Sequence, residues 1–349
     1  MRNVLISSDA AAQAAGTAVI LSGGNAVDAV LAAMLAGATR ASPASLLGSG
    51  VVTIAGPGVG SHWVDGRARV PGLGVKRVQA PESPPRAWSV ALPGLLEGAL
   101  TAHNRFGRAG LGAITRAAAQ AVRDHDDDAA VRARIALVEM LPRSGIDALT
   151  RLGIRQAILE SASPAVGGLV TREDLAKQAL EVNELGVLAA TSHEVLVVPP
   201  DVPPRFAPPS PPASPIGACI AADKEGVIAT AVWAIADEAF ALPSDTGLSM
   251  PALSNAPTKG ITRRKPGSVI PMLAPAAIVR HEGRPWGACI ASGEGDVMAL
   301  CLRQVSLRLE QVGIAFDARS PDRVRGVVSW VVSEPGGEWR ASSEAHEAG

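Results

Sequence analysis

Apolar positions in the first forty residues repeat with a helical period. Ser8 and Asp9 are N-cap residues for an alanine-rich run that ends at Leu21, and Gly23-Gly24 stops it. Asn25 caps a second run, AVDAVLAAMLAGA, whose Asp28 meets the positive end of the helix dipole. The spacing predicts two helices joined by a tight Gly-Gly turn. VVTIA and SHWVDGRARV then read as strands, with Asp65-Gly66 as their hairpin turn. Pro93-Gly94 opens a helix that Gly107 ends, and residues 110–160 continue helical. Thr171 with Asp174 forms a capping-box-like start for REDLAKQAL.

The pattern then changes to strands. HEVLVVPP runs into a proline-rich stretch with Pro203, Pro204, Pro208, Pro209, Pro211, Pro212 and Pro215. GACIAAD and VIATAVWAI form a hairpin around Gly226, and APAAIVR with RPWGACIAS forms another around Gly283. Small and β-branched residues on both faces are the mark of strands covered on both sides. DVMALCLRQVSLRLEQVG returns to helical spacing, with Gly313 as its stop, and the polar tail from Glu334 is expected to fray. Strands between helical layers predict an α/β (α+β) sandwich.

Composition narrows the function classes. The chain has 349 residues, 47% of them apolar, enough for a sizeable core. With 32 Lys+Arg against 33 Asp+Glu, it has no electrostatic footprint for nucleic acid, and 3% aromatics with no Tyr leave little for base stacking. Cys219, Cys289 and Cys301 lie in apolar runs, an odd and sparse count that fits a reducing compartment. No run approaches the roughly 18 apolar residues of a membrane helix, and the N-terminus has no apolar signal core. A soluble cytoplasmic protein is the expectation. His125 stands beside Asp126, Asp127 and Asp128, a consecutive run that reads as a solvated helix end. His62, His103, His193 and His281 show no paired metal spacing, so no metal or cofactor is expected.

Taken in order, these stretches resemble the gamma-glutamyltransferase family. The residues that carry the likeness are VILSGGNAVDAVLAAML, GSGVVTIA, KRVQAP from Lys76 to Pro81, ALPGLLEGALTAHNRFG, GGLVTREDLA, the two hairpins, ASGEGD and DARSPDRVR. The resemblance implies an N-terminal nucleophile hydrolase fold, a four-layer αββα sandwich. It implies one domain over 1–349, in which residues 1–213 are large-subunit-like, residues 214–341 are small-subunit-like and residues 342–349 form a frayed tail. In the family, a threonine exposed by self-cleavage attacks a gamma-glutamyl carbonyl, and two glycine amides form the oxyanion hole.

Anchoring the register on Asp223 and Gly226 places the nucleophile at Ile216, the second threonine at Gly217 and the histidine at Ala218. The positioning threonine and asparagine fall on Ala234 and Ala236. Carboxylate-binding serines fall near Pro271 and Met272, and the oxyanion glycines fall on Glu294-Gly295. Arg77 matches the carboxylate-binding arginine. The substrate-binding positions implied are thus Arg77, Glu294 and Gly295. Ser214 and Cys219 are the substitutes nearest the empty nucleophile position, although Cys219 lies on the opposite strand face.

Two functions follow as expectations. One is a non-catalytic, uncut family member that binds a small acidic or amino-acid-like ligand, or that pairs with itself or a related subunit. The alternative is an amide hydrolase or acyl transferase with another nucleophile, in which Glu294 and Asp296 serve as acid or base, or else cap the next helix.

Overall fold

Two antiparallel sheets, each apolar on both faces, organise the chain. The computed structural model describes residues 2–41, 46–75, 85–126, 128–176, 180–190, 192–199, 216–234, 238–243, 246–252, 265–270, 272, 274–316, 318, 324–334 and 336–348. The helices are α1 (Ala10–Leu21), α2 (Ala26–Arg40), α3 (Leu95–Phe106), α4 (Leu111–Arg123), α5 (Ala129–Ser144), α6 (Ala148–Arg151), α7 (Ile154–Ala162), α8 (Arg172–Ala176) and α9 (Val297–Glu310). The first eight strands are β1 (Val4–Ser7), β2 (Ser49–Gly56), β3 (Gly60–Gly66), β4 (Val182–Glu184), β5 (Gly186–Ala190), β6 (His193–Val197), β7 (Ile216–Ala222) and β8 (Ile228–Ala234). They are followed by β9 (Glu238–Ala241), β10 (Ser249–Ala252), β11 (Ala276–His281), β12 (Arg284–Gly295), β13 (Val324–Ser333) and β14 (Trp339–Ala348).

The first sheet has the order β1-β7-β8-β2-β3-β4, and the second β14-β13-β12-β11-β6-β5. Side-chain alternation divides the core. Cys219, Ala221, Ala229, Ala231 and Trp233 point from the first sheet toward α1, α2 and their neighbours. Ala218, Ile220, Ile228 and Val232 meet Ile278, Ala288 and Ile290 of the second sheet. Cys289, Ala291 and Val328 leave the other face of that sheet to pack on Leu300, Cys301 and Val305 of α9. These strands are antiparallel yet read as continuous apolar runs, because both faces are covered. Among the described residues no helix is long and apolar enough to cross a membrane.

Helix α2 is buried from Ala26 to Thr39 and therefore lacks a polar face. Its start carries a full capping box. Asn25 Oδ1 accepts from the Asp28 amide, and Asp28 Oδ2 accepts from the Asn25 amide. Asp28 also accepts from the amides of Arg108 and Ala109, and the Asn25 side chain donates to the Phe106 carbonyl. One buried carboxylate thus ties α2 to the link between α3 and α4. Asp223 does the same for the β7–β8 turn, accepting from the amides of Glu225, Val227 and Ala26.

Two expectations are corrected. Asp65-Gly66 is not a hairpin turn. It ends β3, and the chain reverses between β2 and β3 at Pro57–Val59, where Gly58 has φ 76. Asp65 is buried and paired with Arg67, so neither is available to an exposed turn. The tail does not fray: β14 pairs with β13 from Trp339 to Ala348. Trp339 anchors it in the inter-sheet core, and its indole donates to the Asp223 carbonyl at 2.9 Å.

Asp28→Ala removes the acceptor of the buried Asn25 amide and of the part-buried Arg108 and Ala109 amides. We expect a loss of about 1–3 kcal/mol in urea denaturation, the cost of one stranded buried donor, since the two part-buried amides can turn to water.

Candidate functional site

Strand register defines the place where the family chemistry would sit. Ile216 starts β7 opposite Ala234, which ends β8. Ala234 faces Ser49 at the start of β2, and Gly50 faces Gly66 at the end of β3. One end of the first sheet therefore collects the start of β7, Ser49 and the Asp65–Arg67 segment.

The second sheet reaches the same end. Trp339 bonds Asp223 at the far end of β7 and lies opposite Ser333 of β13, one position from the Gly287–Val332 pair. The other end of β12, from Ser292 to Gly295, is thereby directed toward the start of β7. The backbone of Glu294-Gly295 runs there opposite Arg325-Val324. Ser292 is buried. Asp296 accepts from the Ala299 amide at 3.1 Å and is the N-cap of α9.

Arg77 and Ser214 lie outside the described residues, as do Ala236 and Pro271. Cys219 is described. Its thiol is fully buried on the helix-facing side, 3.7 Å from the Val30 carbonyl. Burial raises its pKa far above the ordinary thiol range, so a thiolate does not form there. The face opposite the inter-sheet layer and this suppressed ionisation withdraw Cys219 as a nucleophile. Beside Ile216, the Trp233 ring covers both Gly217 of β7 and Gly37 of α2. A Cβ at either glycine would overlap the indole.

A feature missed in the sequence is the buried pair Asp65–Arg67. Arg67 Nε donates to Asp65 Oδ1 at 2.8 Å and Nη2 to Oδ2 at 2.9 Å. Its guanidinium also stands 5.0 Å from the centre of the Trp63 ring. Alternation places Trp63, Asp65 and Arg67 on one side of β3, the side on which Trp63 joins the inter-sheet core. Ser49 Oγ accepts from the Ala68 amide beside them. The fork of Arg67 is filled by both Asp65 oxygens, so this is a buried internal ion pair at the sheet end. An aspartate two positions before an arginine in a strand was the available signal, hidden by the turn reading of Asp-Gly.

A separate cavity lies under the start of α3. Leu46, Leu47, Leu149 and Leu175 line it, with Glu97 and Arg155 as its charged groups. Among the described residues, none offers a hydrogen bond to the buried Glu97 Oε2. Burial pushes the Glu97 carboxyl up to about 7, against the opposing pull of Arg155 and Arg69. Among the described residues no group of three or more His, Cys, Asp and Glu is placed to hold a metal ion.

No family model matches the chain, and no curated protein matches it. Solved structures do. Cephalosporin acylase from Bacillus halodurans superposes with a TM-score of 0.69 over 99% of this chain and 95% of that one, at 12% identity. The two chains share a fold. At that identity the likeness concerns fold and not chemistry. Gamma-glutamyltranspeptidases from Pseudomonas nitroreducens and Helicobacter pylori align over 56% of this chain and 70% and 69% of theirs. Their TM-scores are 0.46 and 0.47, at 18% and 15% identity.

Two outcomes follow from the charged groups. Arg67→Ala leaves the Asp65 carboxylate buried and unpaired, and a loss of about 3–5 kcal/mol in chemical denaturation is expected. Glu97 makes stability depend on pH. The folded chain keeps the carboxyl proton up to about pH 7, whereas the unfolded chain releases it near the ordinary 4.5. The favourable contribution is therefore complete below the unfolded pKa and is lost as pH rises through the folded pKa. Between about pH 5 and about pH 8, the native chain should lose on the order of 3 kcal/mol relative to Glu97→Gln, read from urea midpoints.

Proposed function

We propose that this chain is a gamma-glutamyltransferase-like protein, a four-layer αββα sandwich of N-terminal nucleophile hydrolase type, that binds rather than turns over. The observation that carries the reading is the register at the start of β7, where Ile216 stands opposite Ala234. Neither residue type carries a hydroxyl, thiol, amide or imidazole, so neither attacks a carbonyl or relays a proton. Trp233 supports it, because its ring fills the space that a side chain at position 217 needs.

The ligand class is a small acidic or amino-acid-like molecule, or a related subunit at the same sheet end. Arg77 and the Glu294-Gly295 segment are the positions that would hold it. The chain acts uncut. The alternative chemistry, an amide hydrolase or acyl transferase, would need Ser214 or another group as nucleophile.

Intact-mass analysis with activity assays tests this. The expected result is one species of 35.5 kDa, with no release of nitroaniline from gamma-glutamyl-p-nitroanilide and no deacylation of a cephalosporin side-chain amide. Fragments divided before Ser214 or Ile216, or turnover that persists through purification to homogeneity, would sink the reading.

A further inference from the structure

Two of the three cysteines lie against each other under the helix that covers the second sheet. Cys289 belongs to β12 and Cys301 to α9, 12 positions further on. Both are fully buried in the layer between sheet and helix, among Leu300, Val305 and Val328. Cys289 Sγ lies 3.5 Å from the Cys301 carbonyl oxygen, and Cys301 Sγ lies 3.5 Å from the Cys289 carbonyl oxygen. Each thiol thus points at the backbone of the other residue. Such a reciprocal pair needs both side chains in the one space between strand and helix, and the two thiols face each other there. Cys219 takes no part. It packs in a separate core, on the helix side of the first sheet and against α2.

A disulfide needs two sulfurs brought together by backbones that are already close. The docking of α9 on β12 supplies that closeness. We propose that Cys289 and Cys301 are a redox clasp, a dithiol that closes to a disulfide between β12 and α9 when the chain folds in contact with a small-molecule disulfide. One protein thiolate attacks the small disulfide, forming a mixed disulfide and releasing one small thiolate. The second protein thiolate attacks the protein sulfur of the mixed disulfide, forming the Cys289–Cys301 bond and releasing the second small thiolate. Two electrons and two protons pass from the protein to the reagent, which leaves as two thiols.

Packing decides when this happens. Burial first, and then the Cys301 thiol beside it, hold the Cys289 thiol well above the ordinary range. Exchange proceeds through the thiolate, so the folded chain exchanges slowly in either direction at neutral pH. The redox state is therefore set while α9 is off the sheet and is kept once the helix docks. The bond closes a loop that contains the end of β12 and Asp296, the N-cap of α9. It does not depend on the chemistry proposed at the start of β7.

The test incubates the full chain with equal amounts of oxidised and reduced glutathione, in urea just below the unfolding midpoint, where molecules open and reclose. Free thiols are then alkylated in strong denaturant, and the chain is weighed and its peptides mapped. The chain should lose two hydrogens and take up one alkyl group, on Cys219, with the peptides of Cys289 and Cys301 joined. Cys219→Ala should keep the bond, and Cys301→Ala should lose it. The closed loop should lower the unfolding constant roughly 100-fold relative to the reduced chain, as loops of about 15 residues do. Without urea, the bonded chain should resist dithiothreitol that opens it readily in denaturant. Three alkylated thiols, glutathione retained on the chain, a bond through Cys219, or a bonded chain less stable than the reduced one would each overturn the clasp.

Discussion

Three buried aspartates, each satisfied by backbone amides of another segment, hold the layers in place. A carboxylate removed from water is costly unless every lone pair finds a donor. Asp28 finds the amides of Asn25, Arg108 and Ala109. Asp174 finds those of Gly72, Leu73 and Thr171. Asp223 finds those of Ala26, Glu225 and Val227. Because the donors belong to fixed backbone, each carboxylate sets the distance between two elements and cannot adjust by rotating a side chain. Asp223 has the widest reach. It joins the β7–β8 turn to the first turn of α2, and its carbonyl receives the Trp339 indole from the second sheet. The position of β7, and of Ile216 at its other end, follows from that one residue.

This explains why the stretch SGGNAVDA is so legible. Its polar residues are there for architecture. Asn25 and Asp28 cap α2 and grip the α3–α4 link, and nothing in their geometry addresses a substrate. The helices from Ala10 to Arg40 and the two hairpins at Gly226 and Gly283 were readable for a related reason. Their signals are local caps and turn glycines, with φ 86 at Gly226 and 77 at Gly283. What was not readable depended on partners distant in sequence. Asp-Gly suggests a turn only when no arginine two residues on claims the aspartate. β14 is an edge strand with modest apolar content, and pairing with β13 rather than its own composition makes it a strand.

The candidate site divides along the same line. Strand alternation alone put Cys219 on the face opposite Ile216, and the thiol does lie against α2. Arg67 escaped notice because the turn reading of Asp65-Gly66 hid its pairing with the aspartate two residues before it. His193 and His281 are stacked neighbours only through the β6–β11 register, which no spacing along the chain announces. Residues that act through their own chain segment leave a trace in the sequence. Residues that act through cross-strand contact leave almost none.

Trp233 connects packing to the proposed loss of chemistry. Its ring rests on Gly217 of β7 and Gly37 of α2, so the large side chain and the two small ones form one unit. A threonine at position 217 would have to displace the indole from the helix-facing core, at the cost of a cavity or of strain. Ala234, the register partner of position 216, has no hydrogen-bonding side chain. At this end of the β7–β8 pair, Ile216, Gly217, Trp233 and Ala234 are all apolar. The indole and the two glycines beneath it therefore change together or not at all.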